Sequence, residues 1–186
     1  MSQPTPVPNF LQMGKQLKRI IRVRAAAESV KFFKDSFLKG GFTDGSLDPW
    51  PASRGPLTGK RTLYKKGILM RSIHVSSNTD RRIVFTSDTD YSDIHNNGGK
   101  IIVTPAMKRY FWSQYYRWGG GKTKGKGKKA VSGNARAEWC KRMALKKVGS
   151  VIVIPKRRFM GESKTLMAQL NRIFADETVR IFQNNS

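Results

Sequence analysis

The feature that most constrains this chain is a run of apolar residues near its start. Met13, Leu17, Ile20, Ile21, Ala27, Val30, Phe33 and Phe37 recur at steps of three and four, the spacing that lays one apolar stripe along a helix. Lys15, Lys18, Arg19, Arg22, Arg24 and Lys31 fill much of the opposite face. Gly40-Gly41 supplies the stop, since glycine accepts the left-handed conformation that closes helices. A single helix is therefore predicted over 12–38. At 1.5 Å per residue it is about 40 Å long, more than a small domain needs. One end is expected to pack against a neighbouring subunit. Residues 1–11, with prolines at 4, 6 and 8, read as an extended arm, and 12–186 as one domain, a size that suits 186 residues.

The segment 42–60 reads as a loop, because Pro49, Pro51 and Pro56 oppose a central strand. Trp50 between two prolines is expected to anchor that loop to the body. Thr62–Met70 reads as a helical or turn segment. Arg71–Ser77 and Arg82–Ser87 alternate apolar and polar residues and form an antiparallel hairpin around Asn78-Thr79-Asp80. Tyr91–Gly99 follows as a short helical turn ending at glycines, with Tyr91 and Ile94 packing on the hairpin. Thr104-Pro105 starts a second helix running to Trp118, with an aromatic stripe of Met107, Tyr110, Phe111, Tyr115 and Trp118. Residues 119–135 read as a mobile, solvated loop rich in lysine and glycine. A third helix is predicted over Arg136–Lys147 with Trp139, Met143 and Leu145 apolar. A strand over Val148–Ile154 and a final helix over Glu162–Phe182, broken near Asp176, complete the chain.

Charge narrows the function. Lys and Arg number 36 against 12 Asp and Glu, a net +24, which points to a polyanionic partner, either nucleic acid or an acidic protein surface. Lys122, Lys124, Lys126, Lys128 and Lys129 form a tract suited to gripping phosphates without reading sequence, and Tyr115, Tyr116 and Trp118 lie beside it as possible stacking platforms. Those aromatics also fall at helical spacing, the mark of packing. His95 with Asp93 and Asp90 is the one grouping that suggests acid–base chemistry. Positions i and i+2 do not share a helix face, so His95 is read instead as a corner residue satisfied by nearby backbone. The lone Cys140 excludes an intramolecular disulfide and a cysteine-rich zinc site. Neither a metal nor another cofactor is called for. No apolar run approaches the roughly 20 residues of a membrane span, and no signal-peptide order is present. A soluble protein without membrane contact is the expectation.

The motifs have an order. Trp50-Pro51 precedes Arg54; Leu63 precedes Gly67-Ile68-Leu69-Met70-Arg71-Ser72-Ile73. Val84-x-Thr86 precedes Tyr91-x-x-Ile94-His95-Asn96-x-Gly98, and Ile154-Pro155-x-Arg157-x-Phe159-Met160-Gly161-x-Ser163 comes last. This order, over about residues 28–170, resembles the virion morphogenesis (tail-completion, Mu-like) family of tailed bacteriophages. Ser92 stands where that family usually has alanine, and 100–150 is a larger insertion than its shortest members carry. The resemblance implies an α+β fold: a long N-terminal helix packed on a small antiparallel β-sheet, a helical basic insertion at 100–150 and a C-terminal helix. It implies a non-enzymatic structural protein of the head–tail connector, a hexameric or dodecameric ring beside portal and tail-tube proteins. It also implies assembly in the bacterial host cytoplasm, a place in the virion at the head–tail junction, and contact of the basic loop with genomic DNA or an acidic neighbour. A free, sequence-independent nucleic-acid-binding protein is the alternative.

Overall fold

A computed structural model describes residues 9–52, 62–64, 66–121 and 134–184. The fold is α+β, with a long N-terminal helix, small antiparallel sheets and a C-terminal helix. Helix α1 spans Phe10–Lys39; its cap is Asn9, whose side chain accepts from the Gln12 amide at 3.1 Å, and it closes at Gly40 with φ +69°. Phe10 and Leu11 are thus helical, which shortens the expected extended arm; its first eight residues lie outside the described ones.

The buried side of α1 is Met13, Ala26, Ser29, Phe32, Phe33, Ser36 and Phe37. The expected stripe shares Met13, Phe33 and Phe37 with it, whereas Ala27 is exposed. The true stripe is rotated by about one residue because Ser29 and Ser36, small enough for close helix approach, occupy core positions that a hydrophobicity pattern does not score.

The strands divide among three two-stranded antiparallel ribbons rather than forming one sheet. The first corrects the expected loop at 42–60: β1 (Gly41–Asp44) pairs with β2 (Ser46–Pro49), Phe42 opposite Asp48. Pro49 is tolerated because it is the last residue of a strand at the edge. Helix α2 (Ile68–Ser72) takes in Arg71 and Ser72 instead of leaving them to the expected strand, so β3 starts at Ile73 and runs to Asn78. It pairs with β4 (Ile83–Ser87) in the expected hairpin, with a bulge between Val75 and Ser77. Helix α3 (Ser92–Asn97) is the short turn expected at the corner.

The supposed insertion does not begin as a helix. Strand β5 (Gly99–Ile102) pairs with β6 (Val151–Ile154), Gly99 opposite Ile154 and Ile102 opposite Val151. Between them run α4 (Pro105–Arg117), capped by Thr104 Oγ1, and α5 (Ala135–Ala144). The helical part is therefore a hairpin carried on a β-ribbon, and its helices take their principal contacts from each other. Helix α6 (Lys164–Asn184) is continuous through Asp176, so the expected break is absent.

The core gathers Phe32, Phe33 and Phe37 of α1, Phe42, Trp50, Leu69, Ile73, Phe159 and Leu166. The Phe37 ring meets Trp50 edge-on at 5.3 Å and Phe159 at 5.1 Å between centroids. Such pairs add about 0.5–1.5 kcal/mol each beyond area burial.

Candidate functional site

The sequence motifs meet at one place beside that core. Asn96, at the end of α3, points its side-chain oxygen at the segment after β6 and accepts from the amides of Phe159 (2.9 Å) and Met160 (3.0 Å). The preceding carbonyl, of His95, accepts from the Arg157 amide at 2.8 Å. Segment 155–163 is irregular, so its amides have no ladder partner, and a buried amide without one costs about 1–3 kcal/mol. A single side chain in the helix thus substitutes for a missing strand.

Trp50 joins from the first ribbon. Its indole Nε1 donates to the Arg158 carbonyl at 2.7 Å and its backbone amide to Gly40 at 2.8 Å. Trp50 is therefore an anchor to the body, as its sequence setting suggested. Arg157, buried, donates from Nε to the Pro51 carbonyl at 3.0 Å, and burial draws its guanidinium down from its usual value. Arg158 lies over the Phe42 ring at 4.3 Å and 3.7 Å from Asp44.

The approach between the two segments explains Gly98. Its φ is +74°, and a Cβ there would stand 2.9 Å from the Lys156 amide nitrogen and 3.2 Å from the Ile154 carbonyl oxygen. Pro155 ends β6 where this approach begins. Phe159 is fully buried, and Gly161, with φ +137°, turns the chain toward α6. Ser163 then does two things: its hydroxyl donates to the Thr43 carbonyl at 2.7 Å and accepts from the Leu166 amide at 3.1 Å, capping α6 against β1. Asp44 adds an acceptor for the Lys164 amide at 2.8 Å.

Ser72 and Ile73 lie at the edge of this joint. The Ser72 hydroxyl donates to the Leu69 carbonyl at 2.8 Å and lies 2.6 Å from the Ser87 hydroxyl, closing α2 onto the hairpin, while Ile73 is in the core. Asp44 was not singled out by sequence, although its Asp-Gly dipeptide is a hairpin-turn signal.

Two expectations at the corner need correction. Ring nitrogen Nδ1 of His95 is buried and has no hydrogen-bond partner among the described residues, so the imidazole is not satisfied by backbone; only its main-chain carbonyl ties the joint. Burial, and secondarily the Arg157 charge, lower its pKa, because a desolvated imidazolium is costly. Tyr91 is exposed and meets the His95 ring edge-on at 5.9 Å instead of packing on the hairpin. Ile94 lies against Gly99. Asp90 and Asp93 line a polar cavity of about 320 Å³ with Ser87, Asp88 and Thr89, and His95 is not among its lining residues. Among the described residues, no His, Cys, Asp and Glu group is placed to hold a metal ion, and no helix is long and apolar enough to cross a membrane.

The five lysines Lys122, Lys124, Lys126, Lys128 and Lys129 lie outside the described residues. The helices on either side are described. Phe111 meets Trp139 edge-on at 5.4 Å, Trp112 stacks near Tyr116 at 6.1 Å, and Tyr115 accepts from the Gly121 amide. Within the aromatic stripe, Phe111 and Tyr115 therefore reach α5, at Trp139 and Lys141, whereas Tyr110 and Trp118 are exposed. Ala137, Cys140 and Ala144 form the buried side of α5, while Leu145, expected to be apolar packing, is exposed.

Comparison with protein-family models, with curated proteins and with solved structures found no match.

Proposed function

We propose that this chain is a structural, non-enzymatic protein of the head–tail connector of a tailed bacteriophage. In this reading it forms a ring on the DNA path and joins tail to head as a tail-completion or tail-terminator component. The observation that carries it is the joint. Trp50, Ser72-Ile73, Tyr91–Gly98 and Pro155–Ser163, the motifs that resemble the virion morphogenesis family, are far apart in sequence and converge beside one core. Side-chain polar atoms of Trp50, Ser72, Asn96, Arg157 and Ser163 bind backbone amides and carbonyls, which gives those five residues a structural reason to stand at their places.

Ring formation has support from the outer surface. Ile102, Val151 and Val153 leave an apolar stripe exposed on the β5–β6 ribbon, whose outer edges carry no further strand among the described residues. Contacts of one copy's patch with a different patch on the next generate closed rings when the rotation between copies closes. In this reading the ring is a hexamer or dodecamer, and its neighbours are portal and tail-tube proteins.

Negative-stain imaging of particles carrying a labelled copy of the chain tests the proposal. Label at the head–tail junction is the expected result, with separate heads and tails accumulating when the chain is absent. A protein missing from particles that binds nucleic acid as a monomer would replace this reading by the free nucleic-acid binder.

A further inference from the structure

Between Thr104 and Ser150 the chain carries thirteen Lys and Arg against one acidic residue, Glu138, which is half of its net +24 in a quarter of its length. Eight of those cations stand on described residues: Lys108, Arg109 and Arg117 with α4, and Arg136, Lys141, Arg142, Lys146 and Lys147 with α5 and its end. Arg109, Arg117, Arg142, Lys146 and Lys147 are exposed. None of the ion pairs found among the described residues lies in this hairpin.

We propose that the outer faces of the α4–α5 hairpin form a binding surface for the sugar–phosphate backbone of duplex DNA. On α4, Arg109, Tyr110, Ser113, Tyr116 and Arg117 recur at the spacing of one face and all are exposed. On α5 and just past its end, Arg142, Lys146 and Lys147 are exposed. Thirteen helical residues reach about 20 Å. Duplex DNA presents one charge per about 1.7 Å of its axis, so a surface that long lies along roughly a dozen phosphates. Cations spread over two helices match a regular polyanion better than a compact acidic protein patch. DNA interfaces are wet and strongly positive, and none of the ion pairs found among the described residues offsets these cations.

Two edge-on pairs, Phe111 with Trp139 and Trp112 with Tyr115, lie within the hairpin, and Arg136 lies over the Trp118 ring at 4.9 Å. Tyr110 and Tyr116 remain exposed beside Arg109 and Arg117, where their hydroxyls can hydrogen-bond phosphate oxygens. The choice of duplex DNA, over single strands and over RNA, rests on the connector reading. The carriage also fits: the hairpin stands on the β5–β6 ribbon, its helices contact chiefly each other and none of the core residues belongs to them.

The test is a titration of the full chain with a 30-base-pair DNA duplex across a salt series. It compares Arg109→Gln/Arg117→Gln/Arg142→Gln/Lys146→Gln with a control of equal charge change, Lys15→Gln/Arg19→Gln/Lys31→Gln/Lys39→Gln, also at exposed positions. The hairpin variant is expected to lose at least about tenfold in affinity, and its log–log salt slope to flatten by roughly 3–4, about 0.9 per lost phosphate contact. The control is expected to move by less than half of that. Equal losses in both variants, or none in the hairpin variant, overturn the proposal. So does hairpin-dependent binding of poly-glutamate that exceeds binding of DNA. Should the fourfold variant fail to fold, Arg109→Gln/Arg117→Gln is read the same way with a slope change of about 2. Because these assays use the isolated chain, hairpin-specific DNA loss in a protein absent from particles sinks the connector reading and leaves this inference standing. Junction-located protein with equal losses does the reverse.

Discussion

The joint and the helical hairpin are built from opposite materials. At the joint, Phe37, Trp50 and Phe159 are buried and the polar atoms of Asn96, Trp50 and Arg157 bind main chain across long sequence separations. In the hairpin, the aromatic contacts are between neighbours on α4 and α5, few residues are fully buried and cations cover the outside. The first arrangement fixes a shape; the second presents a charged surface from a locally assembled support. The lesson is a division of labour in one chain, with the β5–β6 ribbon as the connection.

That contrast can be broken most forcefully from the joint. Phe37→Ala removes a fully buried ring contacting both Trp50 and Phe159, and is expected to cost about 3–5 kcal/mol of global stability in denaturant unfolding. Asn96→Ala leaves the Phe159 and Met160 amides without their acceptor, a loss of about 2–3 kcal/mol in the same measurement. A loss near zero would mean that the joint is not what holds segment 155–163.

The pH response is smaller and has a fixed sign. The His95 pKa is lowered in the folded chain by burial and by Arg157. Above the ordinary histidine value near 6.5, folded and unfolded imidazoles are both neutral and contribute no slope. As pH falls below it, the unfolded chain takes up the proton first, so stability declines toward the lowered folded value. His95→Gln is expected to flatten the melting temperature against pH in that window; an unchanged slope assigns it to other groups. The smallest effect belongs to the hairpin. Phe111→Ala is expected to speed local hydrogen exchange in α4 and α5 while shifting the global unfolding midpoint by less than about 0.5 kcal/mol, since locally packed units open on their own.

What the sequence made legible follows the same division. The helices were readable where a cap or a stop is written in chemistry, as at Thr104-Pro105 and Gly40. The β3–β4 hairpin was readable from alternation. The phase of α1 was not, because Ser29 and Ser36 fill core positions with polar side chains. The β1–β2 ribbon was hidden by prolines and acids that suit an edge as well as a loop. Strand β5 was hidden because its four residues, the first of them Gly99, carry too little alternation to register. Asn96 was legible only as a corner residue; its partners lie more than sixty positions away, and spacing along the chain does not reveal which amides a fold will leave unpaired.

Hydrogen exchange of the full chain with and without saturating duplex DNA, resolved to individual amides, tests the division of labour most directly. The account predicts slow exchange at the Arg157, Phe159 and Met160 amides in both states, with DNA-dependent protection concentrated in 105–147. Fast exchange at those three amides, or DNA-dependent protection centred on the joint, would contradict it.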